Sequence, residues 1–378
     1  MAMRHATATW AVLGAAAVLI TAGCGGSVHG SPRSKQCRAV IGLESPVRTS
    51  LGSEQLAFAR LAVADDNSKN GTKIGLEVAD TEFSPSRAVA VSEQLVARSG
   101  AVAVIGPAGN AEVEAVGPIF ARAGLPFISA SATGSQLTAG ANPTFFRVVP
   151  PVSLEGSQES DFIIDHLRPR AVLILDDRSG YGRRMADSML PVFRLSRVLV
   201  ERASANGRTA ASAGALLDRI TPAISVTVLA WHAPGGAETL GRMLVGQHRA
   251  LTLVGPDRLF APGQFTVPGA YVAAPGPDIT ALPADASIAR RIRRSITTFG
   301  IFGPLAYAAT HVVDEAVAQV CRSGQTPSAS DVMAAVRATH AGSSILGIPI
   351  RFRADGELAD PRWFMFRIDS AGRYHLVP

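Results

Sequence analysis

Few side chains in this sequence are spaced for bond-making chemistry. Its eight histidines (His5, His29, His166, His232, His248, His311, His340 and His375) lie far apart, without metal-ligand spacing. It contains no G-x-S-x-G elbow, no H-E-x-x-H and no phosphate loop. An enzyme, a resident metal and a cofactor are therefore not expected. What remains are polar residues that close apolar runs and suit recognition. Asp257 ends Val254-Gly255-Pro256-Asp257; it offers a counter-charge to a cation in a dry cleft, or a helix cap. Asn110 follows Ile105-Gly106-Pro107-Ala108-Gly109, where its amide donates to a ligand or caps the next helix. In Ser129-Ala130-Ser131-Ala132-Thr133, backbone groups freed at a strand end must bond something, a ligand or the turn itself. Tyr181, in Asp177-Arg178-Ser179-Gly180-Tyr181-Gly182, offers a flat ring and one hydroxyl to a ligand or to packing. Asp177 reads as structural. Trp231, beside His232, provides an apolar wall, a cation contact, or core.

The elements that must carry these residues alternate. Short apolar strands are expected at 39–43, 73–79, 101–105 and 125–129, with helices at 53–61, 86–98 and 112–123 between them. The pattern repeats with strands at 171–175, 224–230 and 250–254, interleaved with helices around 157–167, 182–193 and 238–245. Strands that alternate with helices imply a parallel, doubly wound α/β sheet, and two such blocks imply two lobes. Phe145–Pro151 and Tyr271–Ala274 read as crossings between lobes. Helices over 305–321 and 329–340 and a strand-rich tail over 348–377, with a turn at Ala354-Asp355-Gly356, complete the chain.

The 378 residues are 47% hydrophobic and 17% charged, a composition that supports a sizeable core and argues against disorder. The net charge of +6 is carried almost wholly by arginine, the lysines being Lys35, Lys69 and Lys73. The arginines are scattered except at 290–294, which reads as a solvated helix face, so a nucleic-acid partner is not expected. Arg4 and His5 precede an apolar run from Trp10 to Ala22, which suits a signal peptide better than a membrane span. The run ends in Thr21-Ala22-Gly23-Cys24, which resembles a bacterial lipobox with Thr21 where Leu or Val is usual. Residues 1–23 are thus expected to be a signal peptide, Cys24 the lipidated residue, and 24–36 a polar tether. Cys37 and Cys321 remain, an even pair for an oxidising compartment.

Four fragments in order resemble the branched-chain amino-acid (Leu/Ile/Val)-binding family of periplasmic solute-binding proteins: KIGLEVADTEFSPSRAVAVSEQLVARSGAVAVIGP (73–107), LPFISASATGSQLT (125–138), FFRVVP (145–150) and LILDDRSGYG (173–182). The resemblance implies a type I clamshell with a three-crossing hinge: one lobe from 37–149 plus 275–345, the other from 150–274 plus 346–378. It implies that Asn110 holds a ligand carboxylate and that the main chain of Ser131 and Ala132 and the Thr133 hydroxyl surround the carboxylate and ammonium, with Gly109-Asn110 standing where the family usually has a serine pair. It further implies that Asp257 receives an ammonium, that Tyr181 closes over the ligand, that Trp231 is an aromatic contact and that Leu51 contacts a side chain. In this topology Cys37 and Cys321 meet as a disulfide at the end of the first lobe far from the cleft. The expected role is capture of an amino acid or similar small polar solute for an ABC importer, with its permease as partner. A ligand-sensing lobe without transport remains the alternative.

The anchor is tested directly. Cys24→Ala should release the protein from the membrane or leave it unprocessed. A soluble wild type with an unmodified amino terminus contradicts the lipidation.

Overall fold

The computed structural model describes residues 37–377 except 141, 206–219, 248–249, 280–287, 289 and 292–299. The expected signal peptide, Cys24, the tether and most of the arginine cluster lie outside the described residues.

The first sheet grows from β1 (Arg38–Ser45), β2 (Lys73–Asp80), β3 (Ala103–Ile105), β4 (Phe127–Ser129) and β5 (Phe145–Arg147), all parallel, in the order β2-β1-β3-β4-β5. Between them run α1 (Ser50–Asn70), α2 (Pro85–Arg98) and α3 (Asn110–Ala123). Local chemistry sets the boundaries. The Thr49 hydroxyl accepts the Gly52 N–H at 3.1 Å to start α1, and Gly71 ends it at φ 66°, a left-handed turn that suits glycine. Ser84 caps α2 and Pro85 sits in its first turn. β3, β4 and β5 are buried along their whole length, as a sheet covered on both faces requires.

The second sheet contains β6 (Ala171–Asp176), β7 (Leu199–Ser204), β8 (Ile224–Ala230), β9 (Thr252–Gly255) and β10 (Tyr271–Ala274), again parallel. It is flanked by α4 (Glu155–Phe162), α5 (Gly180–Leu195) and α6 (Pro234–Gln247). Then α7 (Phe302–Arg322) returns to the first lobe, packing on α1, and α8 (Ala329–Arg337) packs on α7. A short ribbon of β11 (His340–Ala341) and β12 (Ile350–Arg351) leads to β13 (Phe364–Ile368) and β14 (Tyr374–Leu376). These last two join the second sheet antiparallel, giving β14-β13-β10-β9-β8-β6-β7. The result is two α/β lobes between which the chain crosses after β5, after β10 and before β13. The segments read from sequence as crossings thus begin as strands: Phe145–Arg147 closes the first sheet and Tyr271–Ala274 lies inside the second.

Arg147, at the end of β5, is wholly buried. Its guanidinium bonds the Glu357 carboxylate through Nε at 2.8 Å and also through Nη2, and its Nη1 reaches the carbonyls of Ala132 and Gly134 at 3.1 and 2.8 Å. Its backbone N–H donates to Gly356 O, and Thr138 donates to Glu357 at 2.6 Å. Gly356 has φ 85°, and a Cβ there would collide with Phe145 O, so the close approach needs glycine. The turn expected in the tail of the second lobe therefore docks on β5 of the first sheet.

Cys37 and Cys321 form a disulfide with Cα atoms 5.9 Å apart, joining the residue before β1 to the last turn of α7. Among the described residues, no helix is long and apolar enough to cross a membrane. Cys321→Ser should lower the unfolding free energy by about 2–4 kcal/mol. Denaturant titration of variant and wild type, with and without reductant, checks this. Equal stabilities of variant and oxidised wild type contradict it.

Candidate ligand site

The residues singled out from sequence sit at the carboxyl ends of parallel strands, where α/β sheets open a crevice. In the first lobe these ends are those of β1, β3 and β4.

Here most polar groups are already engaged. The Ser131 hydroxyl donates to Ala108 O and accepts from Gln55 Nε2, both at 2.9 Å, and Gln55 in turn accepts from Ser45. Ala132 is buried; its N–H bonds the Ser129 hydroxyl at 3.1 Å and its carbonyl bonds Arg147. Asn110 is exposed in the first turn of α3, and its Oδ1 accepts the Gly134 N–H at 3.0 Å, which leaves its amide N–H groups outward as donors. Thr133 is half-buried, and no described residue bonds its hydroxyl, while its carbonyl takes the Val152 N–H at 2.8 Å. Leu51 is half-buried in the first turn of α1. The hydroxyl-rich loop is thus a pre-set frame in which Asn110 and Thr133 keep free side-chain donors.

In the second lobe the relevant ends are those of β6, β8 and β9. The Asp177 carboxylate accepts from Ser179 through Oδ1 and from the His232 N–H through Oδ2 at 2.8 Å, a structural role in which it braces two strand ends. Tyr181, in the first turn of α5, donates its hydroxyl to Asp257 Oδ1 at 2.6 Å. The Arg258 guanidinium lies over the Tyr181 ring at 5.6 Å, and the His232 ring meets its edge at 6.1 Å. Trp231 is 3% exposed and packs in the hydrophobic core. The residue after it, His232, is the exposed one, because successive side chains along an extended segment point to opposite sides. Among the described residues, no hydrogen bond joins the first-lobe set to Tyr181 or Asp257; the two sets are separate halves.

Two residues of the second half were not singled out from sequence. Glu155 and Glu159 are both 0% exposed, one turn apart on the buried face of α4. Glu155 Oε1 accepts the Asp257 N–H at 2.6 Å. Its second oxygen and both oxygens of Glu159 have no partner among the described residues. Two acids at i, i+4 were the available signal, but the face they share with Gly156 and Ser160 has no apolar side chain to mark it as buried. The cluster carries an electrostatic load. Burial, together with Asp257 and Glu159, raises the Glu155 carboxyl well above the usual carboxylate range. Burial, then Asp257, pushes Glu159 up to about 8. Burial also raises Asp257, against the hydrogen bond from Tyr181 and the charge of Arg258. The Tyr181 phenol is raised by burial and by the same acids, so it stays a donor. A half-site of this kind favours a cation, whose arrival offsets the repulsion among the acids.

The periplasmic binding protein family profile matches residues 39–373. An amino acid binding protein of Pseudomonas aeruginosa is 29% identical over 168 residues, covering 43% of this chain and 45% of that protein, so the alignment spans less than half the length of the relative. Among solved structures, a putative branched-chain amino acid ABC transporter protein from Rhodospirillum rubrum superposes with TM-score 0.74 at 20% identity over 90% of this chain and all of the other. The branched-chain amino acid transporter substrate binding protein LivJ of Streptococcus pneumoniae, solved with isoleucine, gives 0.66 at 21% identity over 90% and 99%. At such identities the structural likeness establishes the fold.

The acid cluster makes a stability prediction. Glu159 titrates near 8 in the fold and near 4.5 in the unfolded chain. Between these values the native state holds the extra proton, so its contribution to stability is complete below about 4.5, falls as pH rises and is lost above about 8. Glu159→Gln keeps the shape without ionising. Relative to wild type it should raise the melting temperature by roughly 2–5 °C at alkaline pH and by little at acid pH. Calorimetry across that range checks the sign; a pH-independent difference contradicts it.

Proposed function

The chain belongs to the periplasmic binding protein family, and from that premise we propose that it is an extracytoplasmic substrate-binding lipoprotein that captures an amino acid or similar small polar solute for an ABC importer. In this reading it is held at the outer face of the cell membrane through Cys24 and hands its solute to a membrane permease. It binds and releases; it does not transform.

The observation that carries the reading is the Tyr181–Asp257 hydrogen bond at the carboxyl end of the second sheet, backed by Glu155. A carboxylate in a partly dry cleft with a phenol already oriented on it is a receptor for an ammonium group. The first lobe supplies the opposite polarity: the Asn110 amide, the Thr133 hydroxyl and the amino terminus of α3, all suited to a carboxylate. A zwitterion satisfied by one lobe at each end binds the closed arrangement better than the open one, so binding and closure become one event. Leu51 and the apolar parts of both halves then face the ligand's side chain. The Pseudomonas relative, an amino acid binding protein, and the isoleucine complex of the Streptococcus structure support the same ligand class.

Calorimetric titration of the purified protein with amino acids, amides and small carboxylates tests this. Asp257→Ala should weaken amino-acid binding at least roughly tenfold, because an unpaired ammonium in a closed cleft costs about 1–3 kcal/mol. Tight binding of a ligand without an amine, unchanged by Asp257→Ala, contradicts the amino-acid assignment while leaving the clamshell intact.

A further inference from the structure

Far from the ligand residues, the packing of α1 against α7 brings together a second polar cluster. Asp66 of α1 is 2% exposed. His311 Nδ1 of α7 lies 2.8 Å from its Oδ2 and 3.0 Å from its Oδ1. Glu315 stands one turn beyond His311 on the same face of α7. One donor atom from each of Asp66, His311 and Glu315 lies within 4.8 Å of the other two. No histidine spacing in the sequence announced this group, because two of its three donors are carboxylates and one comes from a helix 245 residues away.

A second observation points to an occupant. Asp314 is wholly buried beside the cluster, and neither of its carboxylate oxygens has a hydrogen-bond partner among the described residues. Its carboxyl group faces that of Asp66. Burial and the facing Asp66 raise the Asp314 carboxyl well above the usual carboxylate range, so the pair holds a shared proton or takes a cation in its place. His311, raised by its hydrogen bond to Asp66, is the one positive group that the described residues turn to this pair, and the others serve the exposed edge. Lys69 Nζ bonds Glu315 Oε1 at 3.0 Å, which Asn70 shares, and Arg322 stands 3.9 Å from Glu315 Oε2. The next acid along α1, Asp65, is occupied by Arg291 and by the Tyr307 hydroxyl.

We propose that Asp66, His311 and Glu315 form a binding site for a divalent cation of the zinc class, with the Asp314 carboxylate behind it, that clasps α1 to α7. One imidazole and two carboxylates from two helices make the three-protein-ligand set that zinc accepts, with a fourth position left to water. A tetrahedral ion at about 2.1 Å from each donor holds them about 3.4 Å apart. The donors lie within 4.8 Å of one another, an ion there takes Glu315 from Lys69 and Asn70, and the half-exposed His311 and Glu315 give it a way in. The site sits at the opposite end of the lobe from the ligand. Leu51 is in the first turn of α1, and Asp66 follows 15 residues later, about 22 Å along the helix. The neighbouring Asn67 bonds Ile74 at the start of β2. The ion is therefore a structural clasp, independent of which solute the cleft takes.

The test uses the mature protein, stripped with chelator and titrated with zinc chloride by calorimetry and by thermal unfolding. One zinc per chain should bind and raise the melting temperature. His311→Ala should weaken binding at least tenfold and abolish the thermal shift. Glu315→Gln, which keeps the helix packing, should weaken binding by a smaller factor, and His166→Ala should leave it unchanged. Zinc should not alter the affinity for the cleft ligand. Failure of wild type to bind zinc in a one-to-one ratio overturns the proposal, as does equal binding by wild type, His311→Ala and Glu315→Gln.

Discussion

The buried pair between Arg147 and Glu357 is the interaction on which the ligand frame of the first lobe depends. A guanidinium without solvent access needs its counter-charge and its full set of acceptors. Glu357 provides the first, and the carbonyls of Ala132 and Gly134 complete the second. The consequence is geometric. The loop from Ser129 to Gly134, which links the candidate donors Asn110 and Thr133, takes its shape from a charge on β5 and an acid from the far end of the chain. Losing either partner leaves a buried charge that the loop must move to satisfy.

The two lobes handle charge in different ways. In the first, the buried Arg147 is matched by Glu357, and one oxygen of Glu112 takes the Gly109 N–H at 2.7 Å. Glu44 and Glu112 each keep a second buried oxygen without a partner among the described residues, and burial raises both carboxyls. In the second, three acids converge behind Tyr181, and the nearest guanidinium, that of Arg258, belongs to an exposed residue lying over the phenol ring. Among the described residues, the first half thus contains a buried cation with its counter-charge, and the second gathers three acids without a buried cation.

Much of the fold was legible because the signals were periodic. Apolar runs of strand length alternating with amphipathic stretches placed most strands and helices of both sheets, but not the edge strand β7, which has only one buried residue. They misplaced mainly what periodicity does not encode, such as the strands at Phe145–Arg147 and Tyr271–Ala274, whose neighbours are decided by tertiary pairing. At the strand ends, Tyr181 and Asp257 meet in a hydrogen bond that the sequence does not spell out, because their turns are 76 residues apart. Trp231 was not legible, because one residue of phase decides whether a side chain at a strand end points inward. Glu155 and Glu159 were not legible because the α4 face they share with Gly156 and Ser160 carries no apolar side chain and looks, in sequence, like a solvated one. Ser131 and Ala132 were legible as a loop, but their use by Gln55, Ala108, Ser129 and Arg147 depends on partners remote in sequence.

The disulfide between Cys37 and Cys321 has a further consequence, for covalent topology. It closes residues 37 to 321 into one ring, and two of the three passages between the lobes, those after β5 and after β10, belong to that ring. The third passage, between β12 and β13, lies outside it. A protease that cuts either of the first two opens the ring but separates no fragment. A single cut in the third severs the strands β13 and β14 from the rest, and leaves the edge of the second sheet held by hydrogen bonds and packing alone.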